Sequence, residues 1–179
     1  LGYDIPYVVT DQLNIDEIDQ IRQLNANQRN WTNKDYIEYY RQRSVRFMEI
    51  FDEVAKDFPK GTPTDIIISI MLNKHSKFNE IKAMKEEEID KLMREKGESQ
   101  MYERGAAAVY YLKNIINIYG FSSFPFIEGF CKFLIDNLKQ RSKLNRFLDK
   151  IPYEEVCYTI PPQTTPQWRN HFSTKFTDS

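Results

Sequence analysis

The segment at residues 24–36 carries the densest set of side chains in this chain that can recognise a polar partner. Amide groups donate and accept hydrogen bonds, a guanidinium presents a planar fork of donors, and an indole offers a large flat surface. The residue types leave two alternatives open, a recognition segment and an ordinary polar turn between two helices. The residues concerned are Asn25, Asn27, Gln28, Arg29 and Trp31.

Two groups of basic residues lie further along the chain. Clustered cations either form a solvated helix face or line up against phosphate groups, and the sequence leaves both interpretations open. The first basic cluster consists of Lys34, Arg41, Arg43 and Arg46. The second basic cluster consists of Lys132, Lys139, Arg141, Lys143, Arg146 and Lys150.

The residues that could bind a metal ion or form a phosphate-binding loop do not occur in a recognisable pattern. The two histidines, His75 and His171, have no metal-ligating residue at a spacing such as i+4. The six glycines stand singly, so the sequence contains no Gly-rich phosphate loop. The residues alone therefore predict no catalytic or metal-binding group and identify no cofactor. They indicate a helical module that binds a partner.

The composition is that of a folded protein without a strong overall charge. Of 179 residues, 41% are hydrophobic and 14% aromatic, which excludes a disordered composition. The formal net charge of -1 disfavours a partner held by overall positive charge but allows a local basic patch. With two cysteines, of which Cys131 is predicted to be buried, we expect a reducing, cytoplasmic location. No apolar run approaches the roughly 18 residues of a membrane span, so we expect no membrane partner.

The elements that must position these residues are mostly helical. Residues 1–9 end in a β-rich run, which predicts one short strand that needs a partner sheet. Thr32 followed by Asp35 has the form of a capping box, so a helix is predicted to begin there. The apolar pattern weakens at residues 42–44, where one helix is predicted to give way to a second. The expected fold class is mainly α, a multi-helix domain preceded by one short β-strand.

Glycine and proline residues and the apolar pattern divide the rest of the chain into predicted elements. A buried helix is predicted over residues 66–72, one charged helix over residues 76–96, and helix ends at Gly97 and Gly120. The prolines at residues 161–166 predict an extended tail that docks through Trp168 and Phe172. We therefore expect three parts: residues 1–31 with the strand, a helix and the polar loop; a helical domain at 32–158; and the extended tail at 159–179.

The N-terminal 40 residues resemble a known family. The opening Leu-Gly-Tyr-Asp-Ile-Pro-Tyr-Val-Val is similar to the final strand of a ParB-like, sulfiredoxin-type domain. The pattern Leu24-Asn25-x-x-Gln28-x-x-Trp31-Thr32-x-x-Asp35-Tyr36 resembles the segment that follows that strand in ParB-domain proteins of phages and mobile elements. Beyond residue 40 the likeness is one of helical architecture only.

This resemblance implies DNA binding, with nucleotide binding or nuclease activity in some members. It implies that Asn25, Gln28 and Arg29 lie beside a nucleotide or phosphate site. The family's Gly-His-Arg-type motif is absent from this sequence, which leaves enzymatic activity undecided. Because the chain begins at Leu1 with a lone strand, we expect that a missing N-terminal half-domain or another protein chain completes the sheet.

Two hypotheses about function follow from the sequence. In the first, the protein binds DNA and uses Arg29, the first basic cluster and the part of the second cluster at residues 139–150 on phosphates. In the second, it is a protein-interaction or structural module encoded by a phage or mobile element, with its aromatic-rich helices and tail as contact surfaces. Salt separates the two, because phosphate contacts weaken steeply with salt and an apolar interface does not.

Overall fold

The computed structural model describes residues 15–28, 31–43, 46–151 and 163–178, with side chains described only up to residue 22 within the first range. These residues form ten helices and no strand, which confirms a mainly α fold. The strand predicted within residues 1–9 lies outside the described residues. In the part of the chain that the structure describes, no helix is long and apolar enough to cross a membrane.

The chain divides into two compact units with the boundary between Tyr40 and Arg41, nine residues later than the boundary predicted after residue 31. Helix α2 runs across this boundary. The helices are α1 Ile15–Gln28, α2 Asn33–Gln42, α3 Arg46–Ala55, α4 Thr64–Leu72, α5 Lys77–Ile81, α6 Glu86–Lys96, α7 Glu98–Tyr119, α8 Phe124–Asn137, α9 Arg141–Asp149 and α10 Thr165–Thr177.

The N-terminal unit contains the predicted capping box. The Thr32 amide donates to Asp35 Oδ2 over 2.8 Å, and the Asp35 amide donates to Thr32 Oγ1 over 3.3 Å. These reciprocal bonds satisfy two donors that a helix start leaves open, and α2 begins there as predicted. Helix α1 continues to Gln28, so the predicted polar loop is shorter than expected. Between Leu24 and Gln28 the chain has no Gly or Pro that would end the helix.

Helix α4 lies at the centre of the C-terminal unit. All of Ile66–Leu72 is buried, which confirms the predicted buried helix, and α4 packs against α3, α5, α7 and α8. The one polar side chain in this stretch, Ser69, donates its hydroxyl to the Asp65 carbonyl over 2.9 Å. That bond removes the cost of burying the hydroxyl unpaired.

The prediction of an extended tail after residue 159 is wrong for the described part of it. Thr165–Thr177 is a helix, α10, and Thr164 caps it through a capping box with Gln167. Docking through Trp168 and Phe172 is confirmed, because both are fully buried together with Phe176. The rings pack against aromatic side chains of α8, with Phe130 and Phe172 centroids 4.9 Å apart. Helix α10 is thus part of the core.

Three helix boundaries lie where the sequence predicted them, and one further boundary was not predicted. Helix α2 ends at Gln42 and α3 begins at Arg46, and Gly97 and Gly120 end α6 and α7 with φ of 81° and 76°, where a residue with a Cβ would be strained. The single helix predicted over residues 76–96 is two helices, α5 and α6. Glu86, Glu87 and Glu88 form the first turn of α6, where negative charge stabilises a helix start.

Candidate functional site

The polar segment near the N-terminus is described only in part. Asn25 and Gln28 lie on α1, their side chains lie outside the described residues, and so does Arg29 entirely. Lys34 is exposed in the first turn of α2. The nucleotide or phosphate site at Asn25, Gln28 and Arg29 therefore stays a prediction.

Trp31, which the sequence offered as a flat recognition surface, packs within its own unit. Its ring meets Tyr36 and Tyr39 edge-on, with centroids 5.1 and 5.9 Å away. The Tyr39 hydroxyl donates to Asp19, and the Arg22 guanidinium lies 5.4 Å from the Tyr39 ring centroid. These contacts tie α1 to α2, so the indole contributes to the stability of this unit.

Two arginines of the first basic cluster are held by carboxylates. Arg41 pairs with Asp52 over 2.9 Å, and Arg43 forms an ion pair with Glu86. The partners lie 11 and 43 residues apart in the chain, so no local sequence pattern indicates either pair. A phosphate could reach either guanidinium only by displacing or sharing its carboxylate partner.

Arg46 is held by two carboxylates. It binds Glu98 over 3.1 Å and also pairs with Glu49, one turn further along α3. Hydrogen bonds to Glu98 and then to Glu49 raise the pKa of Arg46 further above its already high value. The first basic cluster is therefore largely neutralised within the protein, and of its four members only Lys34 has no partner among the described residues.

The second basic cluster divides into paired and unpaired cations. Lys132 pairs with Glu128 over 3.0 Å, and Arg141 pairs with Glu103 over 3.2 Å. The other four form no ion pair with the residues that the structure describes. They are Lys139, Lys143, Arg146 and Lys150.

Three of these cations lie along one side of α9, and we call them the α9 strip: Lys143, Arg146 and Lys150. Their spacing of three and four residues places them on one helical face. Leu144 and Phe147 are buried on the side turned to the core. The Lys143 ammonium lies 4.4 Å from the centroid of the Phe176 ring, which holds it in place by a cation–π contact.

The fourth cation, Lys139, lines a different feature that sequence reasoning missed. A groove of about 440 Å³, the His75 groove, opens where the turn after α4 meets the end of α8. His75 Nε2 lies 2.6 Å from Asp136 Oδ1, and Arg169 of α10 donates to Asp136 Oδ2 over 2.7 Å. The groove is lined by Asn73, Lys74, His75, Ile135, Asp136 and Lys139.

The carboxylate in this groove is kept ionised by its neighbours. Partial burial of Asp136 opposes ionisation, but hydrogen bonds from Arg169 and His75 outweigh it and lower the pKa of Asp136. No sequence signal could have joined these groups, because His75 and Asp136 are 61 residues apart and His75 and Arg169 are 94 apart. Only the packing of α10 on α8 brings them together.

The described residues contain no group of three or more potential metal ligands. Cys131 is fully buried, as predicted, and burial raises the pKa of its thiol, which keeps it protonated. Neither feature supports metal or thiol chemistry in this part of the chain.

Comparisons with models of known protein families, with curated proteins and with solved structures return no match. The α9 strip and the His75 groove are two features of the described residues that could contact an anionic partner.

Proposed function

We propose that this protein binds DNA and that the α9 strip contacts the phosphates. The observation that supports this proposal is that some basic side chains are paired with carboxylates and others are not. Arg41, Arg43 and Arg46 are engaged by carboxylates, whereas Lys143, Arg146 and Lys150 have no such partner among the described residues. The one carboxylate on α9, Asp149, forms an ion pair with none of the three.

Unpaired cations suit phosphate binding because no internal ion pair has to be broken. Each phosphate that a cation neutralises releases condensed counterions into solution, and this release drives association. A guanidinium already bound to a carboxylate would gain less, since it must exchange one anion for another. We therefore leave Arg41, Arg43, Arg46 and Arg141 out of the proposed interface, although the sequence predicted them to be part of it.

The length of the strip fits a duplex backbone. An α-helix rises about 1.5 Å per residue, so the strip spans about 10 Å, and several phosphate charges of a DNA duplex lie within that length. The aromatic side chains nearest to it, Phe147 and Phe176, are buried and offer no surface for base stacking. The proposed contact therefore involves phosphates rather than bases, and the binding is expected to be independent of sequence.

Membership of a ParB-like family is part of the proposal and rests on the sequence pattern of residues 1–40. With it come the N-terminal strand and a nucleotide or phosphate site at Asn25, Gln28 and Arg29. Catalysis is not part of the proposal.

A titration of a fluorescent DNA duplex with the protein at several salt concentrations tests the proposal. If three phosphates are contacted, log Kd should rise linearly with log salt concentration with a slope of about 2.7. An unrelated duplex sequence should give the same affinity. The absence of binding at low salt, or a Kd that does not change with salt concentration, would contradict the proposal.

The alternative is a protein-interaction module, and one observation favours it. Tyr110 on α7 and Phe124 at the start of α8 are large apolar side chains with more than half of their surface exposed, 59% and 55%. Aromatic residues of this kind are common at protein interfaces. The affinity for a partner bound through these side chains would depend little on salt concentration, whereas the affinity for DNA would depend on it steeply.

A further inference from the structure

The His75 groove combines one unpaired cation with groups that already neutralise each other. The Lys74 ammonium binds Glu80 over 2.7 Å, a carboxylate that also pairs with Lys77, and Arg169 binds Asp136 over 2.7 Å. Lys139 is exposed and forms no ion pair or hydrogen bond through its side chain with the described residues. Lys139 therefore adds a positive charge to the groove that no carboxylate of the described residues pairs with.

Helices α4 and α8 end at the groove. Their C-terminal carbonyl groups carry partial negative charge and would repel an anion if they accepted no hydrogen bond. They are partly satisfied instead. At the end of α4, the Asn73 amide bonds to the Ile70 and Ser69 carbonyls, and Arg104 donates to the Met71 carbonyl over 2.8 Å. At the end of α8, the Gln140 amide donates to the Asn137 carbonyl over 2.9 Å.

The ring of His75 is held in a fixed orientation. Asp136 holds Nε2, so Nδ1 is the nitrogen left open, with no bond to any described residue. The backbone beside the ring is unusual at Ser76, which adopts φ of 56° without being glycine, whereas Asn73 at φ of 55° is the ordinary left-handed cap of α4. Backbone strain of this kind persists where the surrounding structure imposes it, and it concentrates at functional sites.

We infer that the His75 groove binds a phosphate group: Lys139 supplies the charge, and His75 Nδ1, in a ring that donates its Nε2–H to Asp136, accepts a hydrogen bond from a phosphate hydroxyl. Phosphate carries several oxygens on one centre, so a single group can contact the ammonium and the ring together. This inference does not depend on DNA binding by the α9 strip. The phosphate can be free inorganic phosphate or the terminal phosphate of a nucleic acid strand, and the test distinguishes these sources.

The test uses the fact that the chain has two histidines. In the full chain labelled with ¹⁵N, each ring gives its own NMR signals, and His171, which lies 2.6 Å from the Tyr119 hydroxyl, serves as the internal reference. Inorganic phosphate is added at constant pH and constant ionic strength. Saturable shifts of the His75 signals without shifts of His171 are expected.

Variants separate binding from a structural effect. Lys139→Gln should weaken phosphate binding about tenfold or more, because it removes a charge-assisted hydrogen bond. Lys60→Gln, an exposed lysine outside the lining of the groove, is the matched control and should leave binding unchanged. Lys143→Gln/Arg146→Gln/Lys150→Gln should also leave it unchanged, which distinguishes failure of this inference from failure of the DNA proposal.

Oligonucleotides identify the source of the phosphate. A short single strand with a 5′-phosphate is compared with the same strand without it. A shift of His75 with the phosphorylated strand alone assigns the groove to strand ends, and a shift with inorganic phosphate alone assigns it to the free ion. The inference is overturned if neither ligand shifts His75 saturably, or if Lys139→Gln binds as tightly as the wild type.

Discussion

A Cβ atom added to Gly129 of α8 would lie 2.6 Å from the Cβ of Trp168 in α10. It would also lie 2.9 Å from the Thr165 carbonyl oxygen and 3.0 Å from the Arg169 amide nitrogen. Real Cβ atoms do not approach other heavy atoms so closely. The two helices therefore meet backbone to backbone, and only glycine fits at the point of contact.

Gly129→Ala should lower the free energy of unfolding by about 1–3 kcal/mol, the usual cost of overpacking. In a helix without this contact the same substitution would stabilise by about 1 kcal/mol. A decrease in the free energy of unfolding therefore indicates that the two helices are in close contact. Urea unfolding followed by circular dichroism measures it. Thr174→Ala, on the exposed face of α10, is the control and should change stability little. An unchanged or raised stability of Gly129→Ala would contradict the close contact.

Gly105 of α7 makes a second close approach, but to a side chain. Its added Cβ would overlap with Cγ1 of Val54. Gly105→Ala should therefore destabilise the protein, and Val54→Ala should partly relieve the clash. In a double-mutant cycle the two changes should couple favourably by about 0.5–3 kcal/mol. Strict additivity of the two unfolding free energies would show that the clash is relieved elsewhere.

Helix α10 should be required for folding of the C-terminal unit. Ending the chain after residue 163 removes the buried rings of Trp168, Phe172 and Phe176 and uncovers Phe130 and Phe133 of α8. Each of these large side chains contributes about 3–5 kcal/mol, which together approaches or exceeds the stability of a typical domain. The truncated chain should show no cooperative thermal unfolding. A control lacking only residues 178 and 179 should unfold as the full chain does.

The sequence predicted local features well and missed those made by packing. The Thr32 and Asp35 capping box and the stops at Gly97 and Gly120 were found because the signal lies within a few residues. Helix α10 was missed because the prolines before it favoured an extended tail, although Thr164 followed by Gln167 is itself a capping-box pattern.

The candidate sites show the same limit. The basic residues were identified from the sequence, but their partners were not. Arg46 and Glu98 are 52 residues apart, and no local pattern shows that one neutralises the other. For the same reason the sequence could not separate Lys143 and Arg146 from the paired Arg141.

His171 should make the protein less stable as the solution becomes acidic. Burial lowers the pKa of His171 below its usual 6.5, so the folded state resists a proton that the unfolded state accepts. This contribution to stability is fully present above pH 6.5 and is lost as the pH falls from 6.5 toward the folded-state pKa. The wild type should lose up to about 1.4 kcal/mol per pH unit from this residue.

His171→Gln removes this titration and keeps an amide that can bond to the Tyr119 hydroxyl. It should be less stable than the wild type at pH 7.5, and the difference should narrow as the pH falls below 6.5. Urea unfolding at several pH values measures the difference. A difference that stays constant or widens on acidification would contradict the assignment.

Binding of a DNA duplex by the variant Lys143→Gln/Arg146→Gln/Lys150→Gln, measured by fluorescence anisotropy across a salt series, tests the central claim most directly. The matched control is Lys56→Gln/Lys60→Gln/Lys91→Gln, which removes the same charge from three exposed lysines outside the α9 strip. The α9 variant should lose about 0.9 from the slope of log Kd against log salt for each cation removed, while the control keeps the wild-type slope. Equal slopes and affinities for the α9 variant and the wild type would contradict the claim that the α9 strip binds DNA.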